Sequence, residues 1–390
     1  MLIAKDSAVN FLITPDKFKG SMTARDVSQC IAEVIAVRYP SASIEQTPIA
    51  DGGDGSLEIL LDHGFERVAV HTYNALMEPI EAIYGLKQES NRSIAFLEMA
   101  TICGIATLQG RELQPQFASS YGLGDVAYQV LTSGVDEVIV SVGGSASTDG
   151  GIGFLVGLGA VIRDASGSRV APNLSGLQSA DTIDLSLLHP RIHPLTSNVK
   201  WTFLVDVSNP LVGKEGSAYI FGPQKGLKEN ELEQADSSLR HWAQVLSRAT
   251  GVDVANTPGA GAAGGVASIA QSIFTADFLS GSEWFSNYLN LPEKISMADV
   301  IITGEGSFDA QSLMGKGPGY ILARAKAEGK RTIILAGQIE SHLEDLDGCI
   351  CKSLTEVARS SQKAISDPIK WLSRATEAAL DLLDETLKVT

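Results

Sequence analysis

Apolar and polar residues near the N-terminus follow a strand-and-helix rhythm. A short apolar run at residues 10–14 predicts a buried strand, and residues 23–38 carry apolar side chains at helical spacing. A second apolar run at residues 44–50 and a helical segment at residues 56–63 come next. This strand–helix–strand–helix order predicts a parallel sheet with helices on its faces.

The same rhythm returns near the C-terminus. Apolar runs at residues 300–303 and 332–336 predict strands, and helical spacing predicts helices at residues 320–328 and 367–387. Since the two ends of the chain resemble each other, we expect them to form one domain. The predicted bounds of this discontinuous parallel α/β domain are residues 1–70 and 290–390.

The middle of the chain has a different pattern. Its predicted strands and helices are, in order, strands at residues 66–73, 80–86 and 93–99, a helix at 121–132, strands at 138–142 and 202–207, and helices at 229–250 and 262–274. Three strands in close succession favour antiparallel or mixed pairing. The fold class predicted is therefore α/β: a Rossmann- or flavodoxin-like parallel domain with a second, mixed α/β domain inserted at residues 71–289.

Charge and composition exclude several classes of function. The 390 residues carry a net charge of −16, which argues against binding to nucleic acid or to anionic membranes. The four cysteines form no CxxC pair, so we expect no zinc site of the usual kind. The N-terminus does not resemble a signal peptide, and the longest uncharged apolar run, residues 152–162, is too short to span a bilayer. A cytoplasmic protein with small-molecule substrates is expected, and a homo-oligomer is left open.

Five loops that follow predicted strands are rich in Gly, Asp and Lys. They are residues 14–20, 51–55, 143–153, 206–213 and 303–309. In open α/β sheets, ligands bind at the carboxyl ends of the strands. Glycine lets a backbone approach phosphates closely, and loop carboxylates suit Mg²⁺. The loops therefore predict an enzyme that binds phosphates and a metal ion.

The familiar nucleotide motifs are absent or weak. No GxxxxGK[ST] string occurs, which argues against a P-loop enzyme. Residues 259–264 do fit GxGxxG, but they follow a poor strand and no acidic residue lies about 20 positions further on. An NAD-dependent oxidoreductase is therefore disfavoured, although the segment still suits a phosphate at the start of a helix.

Taken together, the loops resemble the glycerate kinase family, whose members phosphorylate D-glycerate with ATP. The strings that carry the resemblance are PDKFKGS (15–21), ADGGDGS (50–56), EMATICG (98–104), SSYGLG (119–124), GGSASTDGG (143–151), DVSNPLVG (206–213), PGAGAAGG (258–265) and TGEGSFD (303–309). They occur in order over nearly the whole chain. The chain departs from the family at Ser307, where many members have Arg, and at Lys17, where Ser is common.

The resemblance implies two α/β domains with the active site in the cleft between them. It also implies ATP as cosubstrate, Mg²⁺ as cofactor and D-glycerate as acceptor. The branch it resembles is associated with the 2-hydroxyl, which would give 2-phosphoglycerate. Phosphorylation at the 3-hydroxyl stays open, as does a non-catalytic metabolite sensor built on the same fold.

The chemistry of phosphoryl transfer suggests roles for residues in these loops. A carboxylate base must reach the acceptor hydroxyl, and Asp51 is the first candidate, with Asp206 second. Lys19 is the catalytic cation expected near the glycerate carboxylate. The other candidates for binding the acceptor are Asp16, Lys17, Ser21, Asp54 and Lys316.

The phosphates and the metal ion need further groups. Asp206, Glu305 and Asp309 are candidate ligands of Mg²⁺. The candidates for binding ATP and its phosphates are Gly143, Gly144, Ser145, Lys225, Gly259, Gly261, Gly264 and Gly265.

Overall fold

The computed structural model describes residues 9–192, 198–310, 312–313, 317–343, 346 and 348–389. It divides the chain into two compact units. Unit 1 contains the residues up to Asp51 and those from Ser282 onward, and unit 2 is Gly52–Gly281.

The strands and helices alternate along most of the chain. In chain order, the strands are β1 (Asn10–Ile13), β2 (Ser43–Gln46), β3 (Glu66–Tyr73), β4 (Pro79–Glu89), β5 (Arg92–Glu98), β6 (Glu137–Ser141), β7 (Val161–Arg163), β8 (Thr182–Asp184), β9 (Lys200–Leu204), β10 (Ala276–Leu279), β11 (Val300–Thr303), β12 (Ser307–Phe308), β13 (Arg331–Ala336), β14 (Gln338–Ile339) and β15 (Cys349–Ser353). The α-helices are α1 (Ala24–Arg38), α2 (Ser56–Asp62), α3 (Met99–Cys103), α4 (Tyr121–Thr132), α5 (Ile152–Gly157), α6 (Leu174–Leu177), α7 (Ser217–Phe221), α8 (Leu232–Thr250), α9 (Val266–Ile273), α10 (Gly281–Tyr288), α11 (Leu291–Met297), α12 (Pro318–Ala327), α13 (Leu354–Ala358), α14 (Ser361–Ser366) and α15 (Pro368–Val389).

Unit 1 is built on a five-stranded sheet in the order β15-β13-β11-β1-β2. Every neighbouring pair is parallel, which confirms the predicted parallel sheet. One hydrophobic core joins this sheet to helices α1 and α15, with Phe11, Ile31 and Leu372 among its buried side chains. Because all five strands run the same way, the loops that follow them lie at one edge of the sheet.

Helix α1 shows how the sequence sets a helix in place. Thr23 forms a capping box with Asp26: the Thr23 hydroxyl accepts from the Asp26 amide at 3.1 Å, and the Asp26 carboxylate accepts from the Thr23 amide at 3.3 Å. Arg38 in the last turn pairs with Asp381 of α15, 2.7 Å away. The helix predicted to begin near Thr23 is confirmed.

Unit 2 is built on a six-stranded sheet in the order β10-β9-β6-β5-β4-β3. Strands β3, β4 and β5 pair antiparallel, whereas β5, β6, β9 and β10 pair parallel. The predicted mixed sheet is therefore confirmed. Its core includes Phe154, Phe203 and Trp242, all fully buried.

The chain positions that divide the two units differ from the predicted domain bounds, and residues 282–289, predicted for the inserted domain, belong to unit 1. We expected residues 52–70 in the parallel domain, but β3 pairs with β4 along its whole length, and Leu57 of α2 packs beside Gly85. The second strand is also shorter than predicted, since it ends at Gln46 and the amide of Ile49 instead bonds to the carbonyl of Pro15 at 3.0 Å. Throughout the described ranges, every helix is too short or too polar to cross a membrane.

Candidate functional site

Three acidic side chains gather at the strand ends of the unit 1 sheet. Asp16 follows β1, Asp51 lies beyond β2, and Glu305 follows β11. Burial raises the pKa of Asp16 to about 7; the charge of Lys17 lowers this pKa, and the charges of Asp51 and Glu305 raise it. These mutual effects show that the structure brings together three of the candidate residues.

The backbone holds this edge closely together. The amide of Thr14 donates to Ile302 at 2.8 Å, and the amide of Asp16 donates to Gly304 at 2.8 Å. A Cβ at position 304 would lie 1.6 Å from the carbonyl oxygen of Leu335, so only glycine fits there. The TGEG string therefore packs the loop after β11 against its neighbours and thereby places Glu305.

Glu305 has an unsatisfied buried atom. Burial raises its pKa, a hydrogen bond from Ser312 lowers it, and the charges of Asp309 and Asp51 raise it. Its Oε1 atom is buried and has no hydrogen-bond partner. An orphaned carboxylate oxygen is costly unless a cation or a donor approaches it. Even so, in the part of the chain that the structure describes, no group of three or more His, Cys, Asp or Glu side chains is arranged to hold a metal ion.

The first loop of unit 1 presents the predicted cations. Phe18 is buried and its backbone pairs with Met22 in both directions, at 2.9 and 3.0 Å, which forms a tight turn. Lys19 and Ser21 are exposed on that turn, and Lys17 is half-buried beside Asp16. Lys316, the other cation predicted to bind substrate, lies outside the described residues.

An open pocket of about 520 Å³ lies next to this edge in unit 1. Its lining comes from the paired strands β12 and β14 and the residues after them: Ser307, Phe308, Asp309, Ala310, Gln338, Ile339 and Glu340. The Ser307 hydroxyl accepts from the side-chain amide nitrogen of Gln338 at 3.0 Å. Asp309, a predicted metal ligand, thus lines this pocket, and its charge acts on Glu305.

In unit 2, Glu98 fixes the loop that precedes helix α2. It is fully buried at the end of β5, and its two oxygens accept from the amides of Gly55 and Leu57, each at 2.8 Å. Asp54 is half-buried in that loop. The sequence showed Glu98 as part of a family string but gave it no role, because its partners lie more than 40 positions away in the chain.

Asp149 organises the glycine-rich loop after β6. This fully buried carboxylate accepts five hydrogen bonds: from the amide and hydroxyl of Ser120, the hydroxyl of Ser147, and the amides of Gly151 and Gly153. Burial raises its pKa, and these hydrogen bonds oppose that rise. Sequence reasoning missed Asp149, since an Asp among glycines also suits an ordinary turn.

Lys225 donates hydrogen bonds to the same loop. It is only 3 % exposed, and its ammonium donates to the Ser145 hydroxyl at 2.7 Å and to the Ser147 carbonyl at 2.6 Å. Burial lowers the pKa of Lys225 to about 7, while the charge of Asp149 acts the other way. In the same loop, Gly144 is exposed and has a φ of +72°. A Cβ at Gly143 would lie 2.7 Å from the Cα of Gly53, so the two glycines pack closely.

The glycines before helix α9 are buried against other backbone. A Cβ at Gly261 would lie 2.2 Å from the carbonyl oxygen of Pro210, and one at Gly264 would lie 2.1 Å from that of Ser147. A Cβ at Gly265 would lie 2.5 Å from the Cα of Gly150, and Gly259 is buried with φ +79°. Close packing thus accounts for Gly261, Gly264 and Gly265, and the positive φ accounts for Gly259. The binding of phosphate by these glycines stays a prediction.

Asp206 follows β9 in unit 2 and caps helix α10. Its Oδ1 atom accepts from the Ser280 hydroxyl at 2.7 Å and from the Gly281 amide at 2.9 Å. A capping role needs only this oxygen. The roles of Asp206 as metal ligand and second candidate base stay predictions.

Comparison with known proteins gives consistent matches over most of the chain. A model of the glycerate kinase family matches residues 11–384. The chain is 37 % identical to the glycerate 2-kinase of Escherichia coli (strain K12) over 333 residues, which cover 85 % of this chain and 86 % of that protein. It is 35 % identical over 330 residues to the glycerate kinase of Halalkalibacterium halodurans, covering 84 % of this chain and 85 % of that protein. A crystal structure from Salmonella typhimurium LT2, provisionally described as glycerate kinase 2, superposes with a TM-score of 0.79 at 32 % identity, over 97 % of this chain and 100 % of that one.

Proposed function

Since this chain belongs to the glycerate kinase family, we propose that it transfers the γ-phosphoryl group of ATP to the 2-hydroxyl of D-glycerate. The observation that carries this proposal is the gathering of Asp16, Asp51 and Glu305 at the strand ends of the unit 1 sheet. Phosphoryl transfer needs a base near the acceptor hydroxyl and a cation near the phosphates. A cluster of carboxylates can serve both needs.

On the acceptor side, we assign the base to Asp51, which precedes Gly52. A carboxylate there would accept the proton of the hydroxyl as its oxygen attacks the γ-phosphorus. Besides Asp206, the structure adds Asp16 as a further candidate base, because its pKa of about 7 suits proton transfer at neutral pH. The exposed Lys19 would attract the carboxylate of glycerate, and Lys17, Ser21 and Asp54 would bind the rest of the acceptor.

The carboxylates also fit Mg²⁺. Glu305 offers a buried oxygen without a hydrogen-bond partner, and Asp309 acts on it through its charge. Mg²⁺ usually binds one or two carboxylates together with water and substrate phosphates, so a complete protein cage is not needed. When bound, the ion would neutralise charge on the phosphates. We infer that Glu305 and Asp309 hold it, with Asp206 as the further candidate.

For the phosphates of ATP, we assign the turn at Gly143, Gly144 and Ser145. Gly144 is exposed, so its backbone is open to a ligand, and backbone amides in such turns bind anions. The buried ammonium of Lys225, which donates to the Ser145 hydroxyl, supplies positive charge next to this turn. The cytoplasmic location and any homo-oligomer stay predictions.

The test is an assay of the purified protein with ATP, Mg²⁺ and D-glycerate that follows the release of ADP. We expect turnover with D-glycerate and a product that enolase converts directly to phosphoenolpyruvate. A product that enolase accepts only after phosphoglycerate mutase is added would place the phosphate on the 3-hydroxyl. Binding of glycerate with no turnover would favour the sensor, and reduction of NAD without ATP would favour an oxidoreductase.

A further inference from the structure

We propose that the Ser145 hydroxyl donates a hydrogen bond to a phosphate oxygen of ATP, and that Lys225 is a positioning residue that acts chiefly through Ser145. This division of roles rests on the proposed function, because it takes ATP as the ligand. It also changes the role of Lys225, which the sequence analysis placed among the groups that touch the phosphates.

The direction of one hydrogen bond carries the inference. An ammonium group can only donate, so the Ser145 hydroxyl must be the acceptor in its 2.7 Å contact with Lys225. The hydroxyl then keeps its own proton to donate elsewhere. Among the residues that the structure describes, none offers it a second partner, although Ser145 is only 6 % exposed. A nearly buried hydroxyl with an unused proton, next to the exposed Gly144, suits an anionic ligand.

Burial keeps Lys225 itself away from a ligand. The side chain is 3 % exposed, and two of its three N–H donors are used by Ser145 and by the carbonyl of Ser147. Both acceptors belong to the loop after β6, so the ammonium fixes the position of that loop. Its charge can reach a phosphate chiefly through the polarised hydroxyl of Ser145.

The hydrogen bond between Lys225 and Ser145 can change direction when Lys225 loses its proton. A neutral amine can accept, so the Ser145 hydroxyl could then donate to Lys225 and would no longer be held toward a ligand. Asp149, on the same loop as Ser145, is the charged side chain that acts on Lys225, and it favours the ammonium form. Burial acts more strongly in the opposite direction and brings the pKa to about 7. We therefore expect ATP binding to weaken as the pH rises through this value.

The experiment compares four proteins: wild type, Ser145→Ala, Lys225→Met and the double variant. For each, the KM and the kcat for ATP are measured from pH 6 to 9, and the Kd of ADP is measured by calorimetry. We expect each single change to raise KM and Kd by about tenfold, as for a lost hydrogen bond to a charged group. The double variant should be no worse than the worse single variant, because both changes break one chain of contacts. Above pH 7 the wild-type KM should rise, whereas that of Ser145→Ala should stay flat.

Two further variants separate this role from a structural one. Ser145→Thr keeps the hydroxyl and should restore most of the affinity. Lys228→Met removes an exposed lysine nearby in the chain and should leave the KM for ATP and its pH profile unchanged. If Lys225→Met fails to fold, the pH profile of Ser145→Ala and the rescue by Thr decide the question.

Three results would overturn the proposal. The first is a double variant whose increase in KM is the product of the increases in the two single variants. The second is a KM for ATP that still rises above pH 7 in Ser145→Ala. The third is a lower melting temperature in Ser145→Ala with unchanged affinity for nucleotide. A wild-type protein without turnover on D-glycerate would contradict the proposed function instead. In that case, the calorimetry with ADP still tests the roles of Ser145 and Lys225.

Discussion

The two units surround their acidic groups in different ways. At the strand ends of unit 1, Asp16 and Glu305 have pKa values raised by burial and by neighbouring carboxylates, and one oxygen of Glu305 has no hydrogen-bond partner. Beneath the loops of unit 2, Asp149 accepts five hydrogen bonds and Glu98 accepts two backbone amides.

This difference distinguishes acidic groups that can bind a ligand from acidic groups that stabilise the fold. A buried charge enclosed by donors stabilises one arrangement of the chain, and its removal leaves those donors unpaired. A crowded carboxylate with an unpaired oxygen destabilises the folded chain until a cation or substrate arrives, and such sites are typical of function. We therefore expect changes at the crowded carboxylates of unit 1 to reduce turnover, and changes at Glu98 and Asp149 of unit 2 to reduce stability.

The largest expected effect comes from removing divalent metal. With excess chelator, turnover should fall to the background rate, because the crowded carboxylates of unit 1 would repel a triphosphate that carries no bound cation. Added Mg²⁺ should restore the rate, while the melting temperature without substrate should hardly change. Undiminished turnover in chelator would show that these carboxylates do not hold a required ion.

The next effect concerns Lys19. Lys19→Met should raise the KM for glycerate by about ten- to a hundredfold, since a hydrogen bond between charged groups is worth about 1.5–3 kcal/mol. Lys228→Met is the matched control, because Lys228 is also an exposed lysine but lies next to helix α8 of unit 2. Equal, near-wild-type kinetics for both variants would remove Lys19 from the site.

A smaller effect, on stability, is expected at Glu98. Glu98→Gln keeps the size of the side chain but leaves one acceptor where the carboxylate has two, so the amide of Gly55 or Leu57 loses its partner. We expect a loss of about 1–3 kcal/mol in the free energy of unfolding, measured by urea denaturation. Glu112→Gln, at an exposed glutamate, should cost much less. Equal denaturation midpoints for the two variants would show that Glu98 does not stabilise the fold through these two amides.

A further effect on stability is a pH dependence at Asp16. Its pKa is about 7 in the folded chain against an ordinary value of 3.8, so the folded state binds more protons between these pH values. This carboxylate therefore lowers stability progressively as the pH rises from about 4 to 7. Asp16→Asn should melt at a higher temperature than wild type at pH 8, with the difference shrinking towards pH 4. A difference in melting temperature that stays constant from pH 4 to pH 8 would contradict the raised pKa of Asp16.

Local patterns predicted much of the fold. The bounds of α1, β3, α4 and β11 match the predictions closely because periodic apolar residues and caps such as Thr23 are local signals. Strand β10, with three exposed residues out of four, has no apolar run to reveal it. Strand β15 was missed as well, since four of its five residues are only half-buried at the edge of the unit 1 sheet.

The candidate site was predictable to a smaller extent. The sequence predicted that Asp16, Asp51 and Glu305 would lie in loops that follow strands, and parallel strands bring such loops to one edge of the sheet. The role of a glycine was harder to predict, as a loop that packs closely and a loop that binds phosphate have the same composition. Only the structure shows that Gly261 and Gly264 lie against backbone carbonyls and that Lys225 faces inward.

The most direct test of this contrast is to measure kcat and melting temperature together for Asp51→Asn and Asp149→Asn. Asp51→Asn should keep its melting temperature and lose about 10²–10⁴ in kcat, with little change in the KM for glycerate, because Asn cannot act as a base. Excess Mg²⁺ should not rescue it, as it would partly do for a metal ligand. Asp149→Asn should instead melt well below wild type, since five donors converge on this carboxylate. A kcat within about threefold of wild type for Asp51→Asn, or an unchanged melting temperature for Asp149→Asn, would contradict the account.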